Sequence, residues 1–168
     1  IMVAGRCGFS PDLSNAIVER AMFHSDNSYF LDQARVTGHC CKTHTVSNTA
    51  FRGFGGPQGM MVIEQAVDDI ARHLQLDPLD VRKHNLYRPG RDTTHYGQVV
   101  EQHILPELVA QLEASSDYRT RRDEITAFNQ QSPILKRGLA LTPVKFGISF
   151  TALRLVSSTL FRRQAMHF

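Results

Sequence analysis

The chain has 168 residues, 42% of them hydrophobic, a formal net charge of +3 and eight histidines, which suits one domain with a core of its own and gives no basic patch for nucleic acid. Cys7, Cys40 and Cys41 form no Cys-x-x-Cys pair, so an iron–sulfur or zinc framework within the chain is excluded and a reduced, cytoplasmic setting is expected. No apolar run has membrane-spanning length, Ile1 to Arg6 does not read as a signal peptide, and a start at Ile1 is expected of a piece of a longer reading frame.

In chain order, Leu13, Ile17 and Ala21 with Val18 and Met22 have helical spacing over 11–26, with Asp12 or Ser14 as cap. Arg20 lies on that helix, and the plain reading is an arginine snorkelling to the surface or pairing with Glu19 or Asp26. Tyr29, Phe30, Val36, Thr37, Thr43 and Thr45 predict one or two strands. His39 and His44 would face opposite sides there without a carboxylate, which excludes a metal pair.

A helix is expected over 58–74, its apolar positions including Met61, Ile63, Val67, Ile70 and Leu74. Asp77-Pro78 starts a second one through Tyr87, ended by Arg88-Pro89-Gly90. Segments 104–112 and 118–130 read as a helical pair, with Arg119, Arg121 and Arg122 among Asp117, Asp123 and Glu124 as a solvated face. From Lys136 to Thr151 the pattern turns to β, placing Phe146, Ile148 and Phe150 on one face, with Phe146 in the core. Strands and helices alternate without a βαβ rhythm, so the fold class is α+β.

Before the 58–74 helix stands Asn48-Thr49-Ala50-Phe51-Arg52-Gly53-Phe54-Gly55-Gly56-Pro57-Gln58-Gly59. Glycines without a Cβ let backbone approach a ligand closely, a helix N-terminus favours an anion, Arg52 offers a donor fork and Phe54 a stacking ring. The run has neither the third glycine of a dinucleotide fingerprint nor the Lys-Ser/Thr of a P-loop. A planar, partly anionic ligand fits it, and so does a glycine-rich turn with Phe51 and Phe54 in the core.

Phe51-Arg52-Gly53-Phe54-Gly55-Gly56-Pro57-Gln58-Gly59 resembles the molybdopterin-binding part of the molybdenum hydroxylase family, of the xanthine dehydrogenase and oxidase type. So, in the same order, do Ser10-Pro11-Asp12-Leu13-Ser14, Glu19-Arg20-Ala21-Met22-Phe23-His24, Cys41-Lys42-Thr43, Lys136-Arg137-Gly138 and Lys145-Phe146-Gly147-Ile148-Ser149-Phe150-Thr151. The resemblance implies a partial domain for the molybdenum–molybdopterin cofactor and substrate over residues 1–151. Arg52 and Gly53 would contact the cofactor, Arg52 being the contact at the metal centre. Arg20, Phe54, Phe150 and Thr151 would contact a purine, with Arg20 steadying charge that develops on it. It also implies that the catalytic glutamate lies outside this chain, downstream, and that 2Fe-2S clusters and FAD belong only to the complete enzyme. The partners would be the purine and the remaining domains or subunits, with no nucleic acid and no membrane.

After Thr151 the resemblance stops, and residues 152–168 read as a divergent tail of the kind a shifted reading frame gives. The expected function is therefore that of a fragment of a purine-hydroxylating molybdenum-binding subunit, inactive alone. Two other readings stay open. One is a fragment of a related aldehyde or heteroaromatic hydroxylase, which Arg20 disfavours because a purine oxygen gives the guanidinium its partner. The other is a remnant that binds no cofactor.

Overall fold

The computed structural model describes residues 1–10 and 12–147; Phe150, Thr151 and the tail lie outside them. Strand β1 (Met2–Gly8) leads into helix α1 (Ser14–Phe23) and then into strand β2 (Thr37–Lys42). The two strands pair in parallel, Met2 opposite Thr37 through Arg6 opposite Cys41, with a register shift before Gly8 meets Lys42. One βαβ unit therefore opens the chain. Helices α2 (Gly56–Leu74), α3 (Pro78–Asn85), α4 (Leu105–Ser115) and α5 (Tyr118–Gln131) follow without further named strands among the described residues. The mixture is α+β, as expected from the sequence.

Local chemistry accounts for most of these boundaries. α2 begins where Gly55 turns left-handed at φ 98° and Pro57 fits the first turn. Asp77 caps α3, its carboxylate accepting from Leu79 N at 2.8 Å, with Pro78 next in line. α1 departs from expectation at its start: neither Asp12 nor Ser14 caps it, because the N-cap is Leu13 and the Ser14 hydroxyl donates instead to the Asn48 carbonyl at 3.2 Å. That bond ties α1 to the segment leading into the glycine loop.

Two apolar clusters form the core. The larger joins Tyr29, Ile63, Val67 and Leu79 to Val109 and Tyr118, so α2, α3, α4 and α5 share it. The smaller sets Val18 and Met22 of α1 against Val36 beneath the two strands. A fully buried Leu79 contributes about 1.5–3 kcal/mol relative to an exposed one. Of the apolar positions expected on α2, Ile63 and Val67 are buried, whereas Met61, Ile70 and Leu74 face out.

The arginines of α5 lie on an exposed face, as expected, and two of them also carry ion pairs: Arg119 bonds Asp80 and Glu113, and Arg122 reaches Asp77 at 3.1 Å, so the start of α5 is stitched to α3 and α4. The expected strand over 136–151 is not formed in its described part, which has no regular secondary structure through Gly147. Its polar backbone groups pair with side chains rather than with a neighbouring strand. Residues 28–36 likewise form no strand beyond a single bridge between Tyr29 and Leu86.

Candidate functional site

α1 and α2 meet backbone to backbone, and glycine makes that possible. A Cβ on Gly55 would stand 2.1 Å from the Ile17 carbonyl oxygen, and one on Gly59 2.0 Å from that of Ala21. No side chain fits such gaps, so the first turn of α2 lies directly on the turn of α1 that carries Arg20. A Cβ on Gly56 would meet the Phe146 ring at 2.6 Å and His24 Cδ2 at 3.7 Å. The end of the glycine loop, Arg20, His24 and Phe146 thus converge.

Arg20 is 4% exposed, so the plain expectation of a snorkelling surface arginine does not hold. Its guanidinium donates to the Gly147 carbonyl and lies 4.6 Å from the centroid of the Phe146 ring. Phe146, expected in the core, is 44% exposed and forms a wall of this site. His24 stands 5.1 Å from the same ring.

Gly53, Phe54 and Gly55 adopt φ of 89°, 51° and 98° in succession. The run forms a tight turn into α2 in which the Phe54, Gly56 and Gly59 amides bond the Phe51, Gly53 and Gly55 carbonyls, leaving the positive end of the helix dipole as what favours an anionic group there. Arg52 and Phe51 are exposed at the rim, which rules out a glycine turn with Phe51 in the core. These residues offer a pterin-type group a helix N-terminus and an exposed donor fork, while the Cβ directions of Gly53, Gly55 and Gly56 are taken up by Pro57, Ile17 and Phe146. The guanidinium has no lone pair to give a metal, so Arg52 would serve the metal centre as a hydrogen-bond donor and not as a ligand. Among the described residues no group of three or more His, Cys, Asp or Glu is placed to hold a metal ion.

Of the residues singled out from the sequence, Arg20 and the Gly55–Gly56 end of the loop are brought together. Arg52 and Gly53 lie on the outer side of the same loop, and Phe54 is half-buried between. Phe150 and Thr151 are outside the described residues. A cleft of about 680 Å³ lies elsewhere, between 30–35 and 90–95, and shares none of these residues. Cys7, Cys40 and Cys41 are free thiols; burial beside Cys7 pushes the Cys40 thiol up to about 11, which leaves it unreactive.

Sequence reasoning did not find residues 24–29. His24, Ser25, Asp26, Asn27 and Ser28 carry polar side chains at the end of the expected helix over 11–26 and just beyond it, yet each is at most 3% exposed. Asp26 accepts from Tyr87 Oη at 2.6 Å and from Lys145 Nζ at 2.5 Å. Glu64 on α2 gathers Asn27 at 2.7 Å, Tyr29 at 2.5 Å and Arg82 at 2.8 Å. Burial raises the Tyr29 and Tyr87 hydroxyls far above their usual range, with the neighbouring carboxylates adding to the effect, so both remain donors. The one sequence signal was His24 following Arg20 at the spacing that stacks side chains on one helix face.

Burial also lowers His24 and His95 below the ordinary histidine value, with Lys145 nearby acting in the same direction. Both are then neutral when folded, while the unfolded chain takes up their protons below 6.5. Stability is accordingly full above that pH and is lost as pH falls through the folded values. Melting temperature is expected to fall between about pH 7 and pH 5, each histidine adding at most about 1.4 kcal/mol per pH unit. Thermal melts of wild type and His95→Gln across that range check this; identical slopes would contradict a contribution from His95.

The profile of the molybdopterin cofactor-binding domain matches residues 1–86. The chain belongs to that family. It is 48% identical over 144 residues to xanthine dehydrogenase/oxidase of Mus musculus, a match covering 86% of this chain and 11% of that protein. It is 46% identical over 146 residues to xanthine dehydrogenase of Emericella nidulans, covering 87% and 11%. Among solved structures, the aldehyde oxidoreductase of Desulfovibrio desulfuricans is similar with TM-score 0.64 and 26% identity, over 75% of this chain and 14% of that one. That of Desulfovibrio gigas gives 0.57 and 30%, over 77% and 13%. The chain thus spans about a tenth of the length of the relatives it matches. Among the described residues no helix is long and apolar enough to cross a membrane.

Proposed function

We propose that this chain is a substrate- and cofactor-contacting segment of a xanthine dehydrogenase-type enzyme that hydroxylates purines, hypoxanthine to xanthine to urate, with water as oxygen source. The observation that carries the reading is the buried Arg20 guanidinium, set against the Gly147 carbonyl and the Phe146 ring beside the glycine loop. A guanidinium fixed before the ligand arrives stabilises charge building on a purine oxygen without reorganising. Phe54 stacks on the flat face of the base, Phe150 presses on its edge and Thr151 hydrogen-bonds it. Arg52 and Gly53 hold the molybdenum–pterin group at the rim. When bound, that group supplies the centre at which the electron-poor carbon is oxidised and its electrons are collected. The base, the 2Fe-2S clusters and FAD belong to parts of the enzyme beyond residues 1–151, the 152–168 tail is divergent, the assembled enzyme is cytoplasmic, and the chain alone does not turn over.

The likeness to aldehyde oxidoreductases supports a second reading, an aldehyde hydroxylase segment. Arg20 separates the two, since an aldehyde has no further oxygen for it. Calorimetric titration of the chain with xanthine, and with benzaldehyde as the competitor class, tests this. Xanthine is expected to bind and Arg20→Met to weaken it about tenfold or more. Binding of the aldehyde alone, or xanthine affinity unchanged in the variant, would overturn the purine reading.

A further inference from the structure

Among the described residues no strand pairs with 143–147, and side chains just after α1 take a strand's place. The Asn27 amide donates to the Pro143 carbonyl at 2.9 Å and accepts from Lys145 N at 3.1 Å, the two bonds a peptide unit makes across a ladder. Lys145 Nζ is bonded to Asp26. His24 Nε2 accepts from Gly147 N at 3.2 Å. With Nε2 accepting, the ring proton must sit on Nδ1, which donates to the Arg20 carbonyl at 2.8 Å. The imidazole therefore joins the backbone of Arg20 to the residue whose carbonyl receives the Arg20 side chain.

We infer that His24 is a positioning residue for Arg20: as the neutral Nδ1–H tautomer it holds the Gly147 carbonyl and the Phe146 ring where they orient the guanidinium toward substrate. This rests on the purine reading of Arg20 given above. Protonation would remove the Nε2 lone pair, leave the Gly147 amide without its acceptor and set a third cation beside Arg20 and Lys145. The charged groups facing His24 are Arg20 on its own helix, Asp26 just after it and Lys145 on the opposite segment. His95 lies behind Asp26 at 3.9 Å, and from α2 the uncharged Gly56 approaches the ring. The lowered His24 value agrees with a ring held neutral among two cations.

The geometry separates positioning from mere packing through the Arg20 signal itself. In the full 168-residue chain, nitrogen NMR reports the His24 tautomer and the Arg20 Nε–H resonance across pH, with and without xanthine. The expected result is an Nδ1–H tautomer and an Arg20 resonance that moves as His24 titrates. His24→Phe, which keeps the ring and loses both bonds, should shift that resonance and weaken xanthine about tenfold. His24→Gln, whose carbonyl stands where Nε2 accepts, should restore both and remove the pH response. An Nε2–H tautomer in wild type would overturn the inference whether or not the variants fold. So would a folded His24→Phe chain with an unchanged Arg20 signal and affinity. If xanthine fails to bind wild type while Arg20 still follows His24, the positioning stands and the purine reading falls.

Discussion

Glu64→Ala is expected to cost about 3–5 kcal/mol, because it leaves the buried Arg82 cation with one partly exposed partner and strips the buried Tyr29 hydroxyl of its acceptor. Glu64 accepts at once from Arg82, Tyr29 and Asn27. The Arg82 side chain is 3% exposed, and its remaining partner Asp68 at 2.8 Å is itself 41% exposed. Tyr29 is 1% exposed and its burial-raised hydroxyl has no way to ionise. A loss of this size is a large part of the 5–15 kcal/mol that about any domain has. Urea unfolding should show the midpoint falling with an unchanged slope; a loss under about 1 kcal/mol would mean that Glu64 is not the hub of the network.

Gly59→Ala is expected to destabilise by about 3 kcal/mol although alanine is the better helix former by about 1 kcal/mol. The new Cβ would stand 2.0 Å from the Ala21 carbonyl oxygen, 2.8 Å from its carbon and 3.0 Å from its Cα. Those are main-chain atoms, so the helices themselves must part. Because Ala21 follows Arg20, the same substitution should weaken xanthine as well as lower stability. Gly138→Ala serves as control, with nothing within 4 Å of its Cβ and an expected change within about 0.5 kcal/mol. Equal melting temperatures for the two variants would contradict the close approach of α1 and α2.

How much of this was legible in the sequence depends on what held each part together. α2 to α5 were readable because periodic apolar residues and the Asp77-Pro78 start are local signals, and their boundaries fell within a few residues. β1 was missed: Met2 to Gly8 is short, carries Arg6 and two glycines, and owes its strand to pairing with β2 across a long sequence gap. The segment 136–147 had a strand's alternation, but among the described residues no strand pairs with it, and Asn27 and His24 bond the backbone of Pro143, Lys145 and Gly147 instead. Burial of 24–28 had no hydrophobic signature at all, because the hub is kept inside by hydrogen bonds.

The site divides along the same line. The glycines read as places where backbone meets a ligand, whereas the structure sets Gly55 and Gly59 against the Ile17 and Ala21 carbonyls of α1. Arg20 was placed by resemblance and not by pattern; from spacing alone it read as a surface residue. Its burial came from Gly147 and Phe146, whose contact with it spans 127 and 126 positions of chain. No local pattern reaches that far.

The most direct measurement of the central claim uses a chimera in which the matching segment of mouse xanthine dehydrogenase/oxidase is replaced by residues 1–147 of this chain. Molybdenum content by elemental analysis and xanthine-dependent dye reduction would be read together, with and without Arg20→Met. The account predicts a molybdenum-loaded chimera that oxidises xanthine and loses turnover, with metal retained, when Arg20 is replaced. A loaded chimera that oxidises xanthine equally well without Arg20, or that oxidises aldehydes and no purine, would contradict it.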